Sequence, residues 1–366
     1  MTVREACIVA GGAGTRLRPL TATTPKPLLP FCGVPFLAGV LERLAGVGVE
    51  RVLLVVGADP SPFEVLRDGA RELGIDLEAV PEPEPLDTAG GVRAALDRMS
   101  GTFLVLNGDI LTDVPLAPVI DAHRAAGAAA TLVLTRVEDT SSFGVCVREG
   151  DRITAFVEKP APGELPGQDA VNAGTYVLEP EALARFEPGR LSFERDVFPG
   201  LVADGLHVEG YVSGAVWADL GTPGRYLAGH RLALGGALAW PPLEAVPDRG
   251  GGVRIADDVH LAPGTRLVGP LLLRPGVRVG AGARVGPHVV AGDRTVIGPG
   301  ADVTDSVLAD DVVIDGDTSV AGLLAGRGAR VGSGTVLGRD VVLGDGVTLE
   351  PGSRVPDGAR IPGGEA

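Results

Sequence analysis

The stretch VRIADDVHLAPGTRLVGPLLLRPGVRVGAGARVG, residues 253–286, decides the fold of the second half of this chain. An apolar or small residue returns every six positions, at Val253, Val259, Thr265, Leu271, Val277 and Ala283, and a second follows two positions later, at Ile255, Leu261, Leu267, Leu273, Val279 and Val285. Two inward residues separated by one outward residue describe a short strand, because side chains alternate across a strand. Strands repeating at a fixed short period describe a solenoid. The pattern continues to Ala309, slips near 308–312 and again near 324–329, and resumes from Ala329 and Val331 to Ala359 and Ile361.

Working outward, the repeat is preceded by the Pro- and Gly-rich ALAWPPLEAVPDRGGG, and before that by a different rhythm. ACIVA, RVLLVVG, FLVLNGD and ATLVLTRV read as buried strands, rich in Val, Ile and Leu. Between them lie PFLAGVLERLAGVG, PFEVLRDGARELG, GVRAALDRM and LAPVIDAHRAAG, which carry amphipathic helical spacing. Alternating strands and helices imply an α/β domain: a Rossmann-like, mainly parallel sheet with helices on both faces and ligands beyond the carboxyl ends of its strands. The hexapeptide half resembles the left-handed parallel β-helix, a three-sided prism of about six coils over residues 253–361. The expected division is 1–236, a linker at 237–251, and 252–366.

Composition narrows the function. A net charge of −15 and a pI near 4.8 repel a nucleic-acid backbone, so a phosphate ligand must be held by local positive charge. Of 32 basic residues only two are lysines, Lys26 in TPKPLLP and Lys159 in VEKP. No apolar run reaches the roughly 18 residues of a membrane span, and the N-terminus lacks the pattern of a signal peptide. The expectation is a cytoplasmic protein with no nucleic-acid or membrane partner. Cys7, Cys32 and Cys146 are far apart in apolar surroundings and read as packing residues.

GGAGTRLRPL, residues 11–20, follows the first strand directly. It is neither a Walker A loop nor a dinucleotide fingerprint, since the third glycine of that fingerprint falls on Leu17. A bare Gly-rich turn is weak evidence, but here Arg16 and Arg18 follow the glycines and Lys26 stands between two prolines. Glycines let a backbone approach a triphosphate closely, and prolines stiffen the segment that presents the cation. Asp109 ends the strand FLVLNGD and Asp219 follows another short apolar stretch. Taken singly each is as readily a turn or cap residue as a ligand, although Mg²⁺ commonly takes one or two carboxylates completed by substrate phosphates.

GGAGTRLRPLTATTPKPLLP, residues 11–30, resembles the signature of the sugar-1-phosphate nucleotidylyltransferases, or NDP-sugar pyrophosphorylases. LNGD at 106–109, FGV at 143–145, VEKP at 157–160, VNAGTYVL at 171–178 and WADLGTP at 217–223 follow in the order of that family. The resemblance implies an enzyme that transfers a nucleotidyl group from an NTP to a sugar 1-phosphate, releasing pyrophosphate, with 1–236 as its catalytic domain. It implies Arg16, Lys26, Asp109 and Asp219 as catalytic residues, and Mg²⁺ on Asp109 and Asp219. It also implies a nucleotide site at Ala10, Gly11, Gly12, Gly14, Thr15, Arg16, Glu82, Thr88 and Gly108, and a sugar-phosphate site at Gly144, Glu158, Lys159 and Asn172. Asp87 departs from the family pattern, where Gly is commoner.

Within the family the motifs look most like the mannose-1-phosphate guanylyltransferases, which implies GTP and mannose 1-phosphate. Thymidylyl, uridylyl or adenylyl transfer to glucose 1-phosphate or a cyclitol phosphate is the alternative. A silent regulatory subunit and a β-helix acyltransferase using His260 or His288 are further readings. The β-helix is expected to join the subunits of a homo-oligomer and to do no chemistry.

The lysine count generates a test. If Lys26 and Lys159 are leftovers of an Arg-biased surface, Lys→Arg is harmless, within ~0.5 kcal/mol. If each is a compact point contact to a phosphate, the wider guanidinium cannot take its place, and misplacing a reacting phosphate costs ~10² in rate. Steady-state kinetics with each substrate varied in turn are expected to show weakened sugar 1-phosphate binding in Lys159→Arg and lowered turnover in Lys26→Arg. Wild-type constants in both variants reject the assignment.

Overall fold

The computed structural model describes residues 3–161, 164, 165 and 167–363, so the last three residues of the expected second domain lie outside it. The chain forms two compact units. One comprises residues up to Gly12 together with Val40–Trp217, and the other comprises Ala13–Gly39 and Ala218 onward.

In the first unit the apolar runs become nine strands of one sheet: β1 (Glu5–Val9), β2 (Arg51–Val56), β3 (Asp76–Pro81), β4 (Phe103–Asn107), β5 (Ala130–Arg136), β6 (Gly144–Glu149), β7 (Arg152–Glu158), β8 (Ala170–Leu178) and β9 (Val208–Val212). Their order is β3-β2-β1-β4-β8-β5-β9-β7-β6. The block β3-β2-β1-β4 is wholly parallel, with Cys7 beside Leu53 and Val105. Beyond it β8 runs antiparallel to both β4 and β5, so the parallel character is strongest in the first half of the sheet. Helices α1 (Phe36–Ala45), α2 (Arg67–Glu72), α3 (Asp87–Ala94) and α4 (Leu116–Ala126) occupy the four segments with helical spacing. Phe103, Val105, Leu132, Tyr176, Phe193 and Phe198 form the centre of the core, all 0% exposed. Cys7, Cys32 and Cys146 are free and buried, and burial raises each thiol pKa far above its ordinary value.

In the second unit the hexapeptides close into three parallel sheets of seven, six and six strands, the faces of a left-handed parallel β-helix. Both apolar sets point inward, as Val277, Val279, Ala283 and Val285 illustrate at 3% exposure or less. Partners on successive coils are mostly 18 residues apart, as in Leu271 with Val289, but Val290 pairs with Val307 and Val307 with Leu324, which are 17 apart. The register slips therefore lie at the corners Asp305–Ser306 and Gly322–Leu323, slightly before the positions suggested by the periodicity. Between strands, a shortened corner leaves the alternation intact; within one it would turn every later apolar residue outward.

By their contacts residues 13–39 and 218–251 group with the β-helix. Trp240, in the expected linker, is 1% exposed and stacks on Phe36 at 5.4 Å with the rings 11° apart. Its edge meets Phe31 at 5.0 Å, and a Cβ on Gly39 would lie 2.3 Å from its ring. His230, on helix α5 (Pro223–Leu234), completes this cluster 4.4 Å from Phe31. Its Nε2 accepts from the Cys32 amide at 3.2 Å and its Nδ1 donates to the Tyr226 carbonyl at 2.9 Å, which fixes one neutral tautomer. Among the described residues no helix is long and apolar enough to cross a membrane.

Burial lowers the His230 pKa to about 4. The folded value lies below the unfolded value of about 6.5, so protonation favours unfolding. The stability contribution is complete above pH ~6.5 and is lost as pH falls toward ~4. Between pH ~7 and ~5 the wild type is expected to lose roughly 2 kcal/mol more than His230→Gln in denaturant unfolding. Parallel pH dependences in the two proteins contradict a buried neutral imidazole.

Candidate functional site

In the first unit three loops leave the carboxyl ends of parallel strands. After β1, the Ala10 amide donates to the Val55 carbonyl at 2.7 Å and the chain turns through Gly11 and Gly12. A Cβ on Gly11 would lie 2.8 Å from Glu82 Oε2, whereas one on Gly12 would meet nothing within 4 Å. Gly11 is thus demanded by packing, and Gly12 leaves its backbone open to a ligand. After β4, the Gly108 amide donates to the Val9 carbonyl at 2.8 Å and brings Asp109, partly buried, to the ends of β1 and β4.

Glu82 follows β3 and is 8% exposed. Its amide donates to the Val56 carbonyl at 2.9 Å, while side-chain Oε1 is buried with no hydrogen-bond partner among the described residues. Oε1 stands 2.3 Å from where a Cβ on Gly91 would be, so glycines on two loops make room for this carboxylate. Burial, then the neighbouring Asp87, raise its pKa. A buried acceptor without a donor is costly unless a ligand supplies one.

The PLDTAGG loop opens α3. Asp87 has a φ of +67°, the left-handed region that accounts for Gly in the commoner pattern. A non-glycine residue costs roughly 1–2 kcal/mol there. The carboxylate offsets this cost locally: Oδ1 accepts from the Thr88 amide at 3.0 Å, and Oδ2 meets Arg195 at 2.5 Å and Arg190 at 3.6 Å. Thr88 Oγ1 donates to Glu194 at 2.7 Å and accepts from the Phe193 amide at 2.9 Å, so its hydroxyl is engaged by the protein. Residues 191–195 clasping this loop were not foreseen; they are distant in sequence and share no motif with it.

The expected sugar residues also come together. Gly144 pairs with Glu158 across β6 and β7, and a Cβ on Gly144 would lie 2.8 Å from Glu158 Oε2. Val145 pairs with Val171, which brings Asn172 on β8 alongside. The Asn172 amide donates to Tyr176 at 2.8 Å and its oxygen accepts from the Gly174 amide at 3.0 Å. Lys159, at φ +50°, lies 3.4 Å from Glu158, but its side chain is 65% exposed. The crowding expected around both lysines is found here at Lys26 alone.

In the second unit Gly14, at φ +58°, starts a turn held by Thr21 Oγ1 donating to its carbonyl at 2.8 Å. Thr15 and Arg16 follow on this turn, both exposed. A Cβ on Gly14 would lie 3.0 Å from the Cβ of Lys26, whose side chain is only 9% exposed. Lys26 Nζ stands 3.6 Å from Asp219 Oδ1, which accepts from the Gly221 amide at 2.7 Å. Arg225 donates to Asp219 Oδ2 at 2.7 Å, and Arg16 Nη2 is 2.9 Å from where a Cβ on Gly221 would be. Lys26 and Arg225 meet at Asp219 with Arg16 beside Gly221, a local concentration of cations in a chain of net −15. Such an arrangement favours a polyanion. Arg225 was not foreseen, though it lies only six residues after Asp219.

Comparison with known proteins identifies the family. A nucleotidyl transferase family model matches residues 5–234, and a model of the GMPPB C-terminal domain matches 267–362. A mannose-1-phosphate guanylyltransferase of Mycobacterium tuberculosis is 39% identical over 282 residues, covering 76% of this chain and 77% of its own. A probable mannose-1-phosphate guanylyltransferase 1 of Oryza sativa is 39% identical over 238 residues, 63% of this chain and 64% of its own. The crystal structure of HddC from Yersinia pseudotuberculosis, also solved in complex with GMP-PN, is 26% identical with a TM-score of 0.53, covering 62% of this chain and 98% of its own.

Proposed function

The chain belongs to the nucleotidyl transferase family, and from that premise we propose that it condenses GTP with mannose 1-phosphate to give GDP-mannose and pyrophosphate. The observation that carries the choice of base is Glu82, a buried carboxylate with one oxygen lacking a donor, against the Gly11 turn. An ionised carboxylate only accepts hydrogen bonds. Guanine offers a matching pair of donors, N1–H and the exocyclic amine, whereas adenine, thymine and uracil present no such pair. Binding GTP would also satisfy the orphaned oxygen, so the match is rewarded and a mismatch leaves the acceptor unpaired.

Transfer requires no covalent nucleophile. An oxygen of the sugar phosphate attacks the α-phosphorus, the bond from α-phosphorus to the bridging oxygen breaks, and pyrophosphate leaves with the negative charge. Arg16 and Lys26 neutralise that charge as it moves to the leaving group, while Gly12 and Gly14 keep backbone close to the phosphates. Thr15 and Thr88 complete the nucleotide site. Glu158 and Asn172 orient the sugar hydroxyls, and Lys159 closes on the sugar phosphate from its exposed position. In this reading residues 1–236 remain the catalytic domain, and the β-helix joins subunits of a homo-oligomer. The coils carry no insertion loop of the kind acyl transfer would need around His260 or His288.

The family implies a divalent metal, and carboxylate oxygens are the donors Mg²⁺ prefers. Asp109 and Asp219 both offer hard carboxylate oxygens beside a strand end, and the phosphates would complete the shell. When bound, Mg²⁺ supplies positive charge to the phosphate oxygens. For Asp219 to serve, Arg225 must release one of its oxygens.

The base assignment is tested by pyrophosphate release from four NTPs with mannose 1-phosphate. Wild type is expected to prefer GTP, and Glu82→Gln to lose about 10²-fold or more of that preference. Unchanged discrimination in Glu82→Gln sinks the assignment. The metal assignment is tested separately, through Asp109→Asn and Asp219→Asn. Each is expected to fold normally and lose at least ~10²-fold in turnover, with a raised Mg²⁺ requirement. Near-normal turnover and Mg²⁺ dependence in either variant removes that residue from the metal site.

A further inference from the structure

The last coils of the β-helix reach the signature loop. Arg360, in the final strand Arg360–Ile361, directs Nη1 at the backbone carbonyls of Arg18, at 3.1 Å, and Arg16, at 3.4 Å. One coil earlier, Thr23 Oγ1 donates to Asp345 Oδ2 at 2.7 Å, while Asp345 Oδ1 accepts from the Arg327 amide at 2.8 Å and is thereby fixed to the coil. Gly344 completes the contact: a Cβ there would lie 3.2 Å from the Cβ of Pro19. Three points along residues 16–23 are thus held by residues 344–360, more than 300 positions away in sequence.

The held segment has little support of its own. Residues 15–17 and 20–22 are single three-residue 3₁₀ turns, and most of their polar side chains face solvent. Ordering such a segment costs conformational entropy, which external hydrogen bonds offset. One of the two carbonyls that Arg360 holds belongs to Arg16, whose guanidinium faces the leaving group in the reading above, and the other to Arg18, two residues further along the same loop.

We propose that Arg360 is a positioning residue for the triphosphate-binding turn, so that the end of the β-helix brings Arg16 and Arg18 into place for the nucleotide. The brace is a property of the free protein; its effect on GTP rests on the proposed function. It gives the β-helix a part in nucleotide affinity beside its expected role in assembly. Because coupling is reciprocal, occupation of the turn by GTP also tightens the final coil.

The test uses the full-length protein with Arg360→Ala, Arg360→Lys, and Arg354→Ala as a control on the neighbouring strand. Arg360 is exposed, so its substitution leaves the folded core untouched. Hydrogen exchange of residues 14–22 without substrate reads the brace, and steady-state constants for GTP and mannose 1-phosphate read its consequence. Arg360→Ala is expected to exchange faster in this segment and to raise KM for GTP about three- to fivefold, the range of an exposed charged contact, with KM for the sugar phosphate unmoved. Arg360→Lys keeps a donor and restores part of both effects, and Arg354→Ala matches wild type. Unchanged exchange in Arg360→Ala overturns the brace whatever the kinetics. Faster exchange with unaltered GTP constants supports the brace and overturns the assignment of this turn to the triphosphate.

Discussion

Everything chemical in this protein depends on holding like charges together without a ligand. Lys26 and Arg225 converge on the single carboxylate of Asp219, with Arg16 against the same turn at Gly221. In the proposed function this gathering of cations is what faces the polyphosphate. The same carboxylate holds Lys26 and Arg225 beside each other, and in the proposed function it would become available as a metal ligand once phosphates draw Arg225 away. In the proposed function an acidic chain would thereby bind an acidic substrate, by concentrating a few cations locally rather than by its net field.

The base end follows the opposite logic. Glu82 is a carboxyl group in a confined place, made room for by Gly11 and Gly91, and burial and then Asp87 raise its pKa. Its neighbours on α3 are locked by residues 191–195, and in the proposed function that frame would resist relaxing around a wrong base. Rigidity is what turns an unpaired acceptor into discrimination. The strained Asp87 fits this picture, since its ion pair with Arg195 ties the loop down where the commoner Gly would leave it loose.

How much of this was legible in the sequence depended on the range of the interaction. Period-six repetition and buried β runs are local, and they identified the β-helix and the α/β unit. The antiparallel insertion of β8 between β4 and β5 was not legible, because a strand's partner is a property of topology rather than of its own residues. The signature residues 11–26 were legible because chemistry requires them close together along the chain. Arg225 and the clasp at 191–195 were not, since each acts on a motif through space. The linker at 237–251 reads as a spacer by composition, yet Trp240 makes it part of a core. Glycine and proline counts describe backbone preference and say nothing about where one indole goes.

The segment 13–39 touches the solenoid at several heights. Gly33 meets Arg274 near its first coils, Thr23 meets Asp345 near its last, and Arg18 meets Arg360 at the final strand. Coils stack at about 4.8 Å, so their number fixes the distance between those anchors. The β-helix is therefore a ruler against which the signature loop is measured. Many solenoids gain and lose whole repeats freely over evolutionary time, because each repeat meets only its neighbours. This one has lost that freedom: an added coil would carry Arg360 one rung past its carbonyls. The two shortened repeats of this chain fall at the corners 305–306 and 322–323, where a residue can be absent without changing the count of coils.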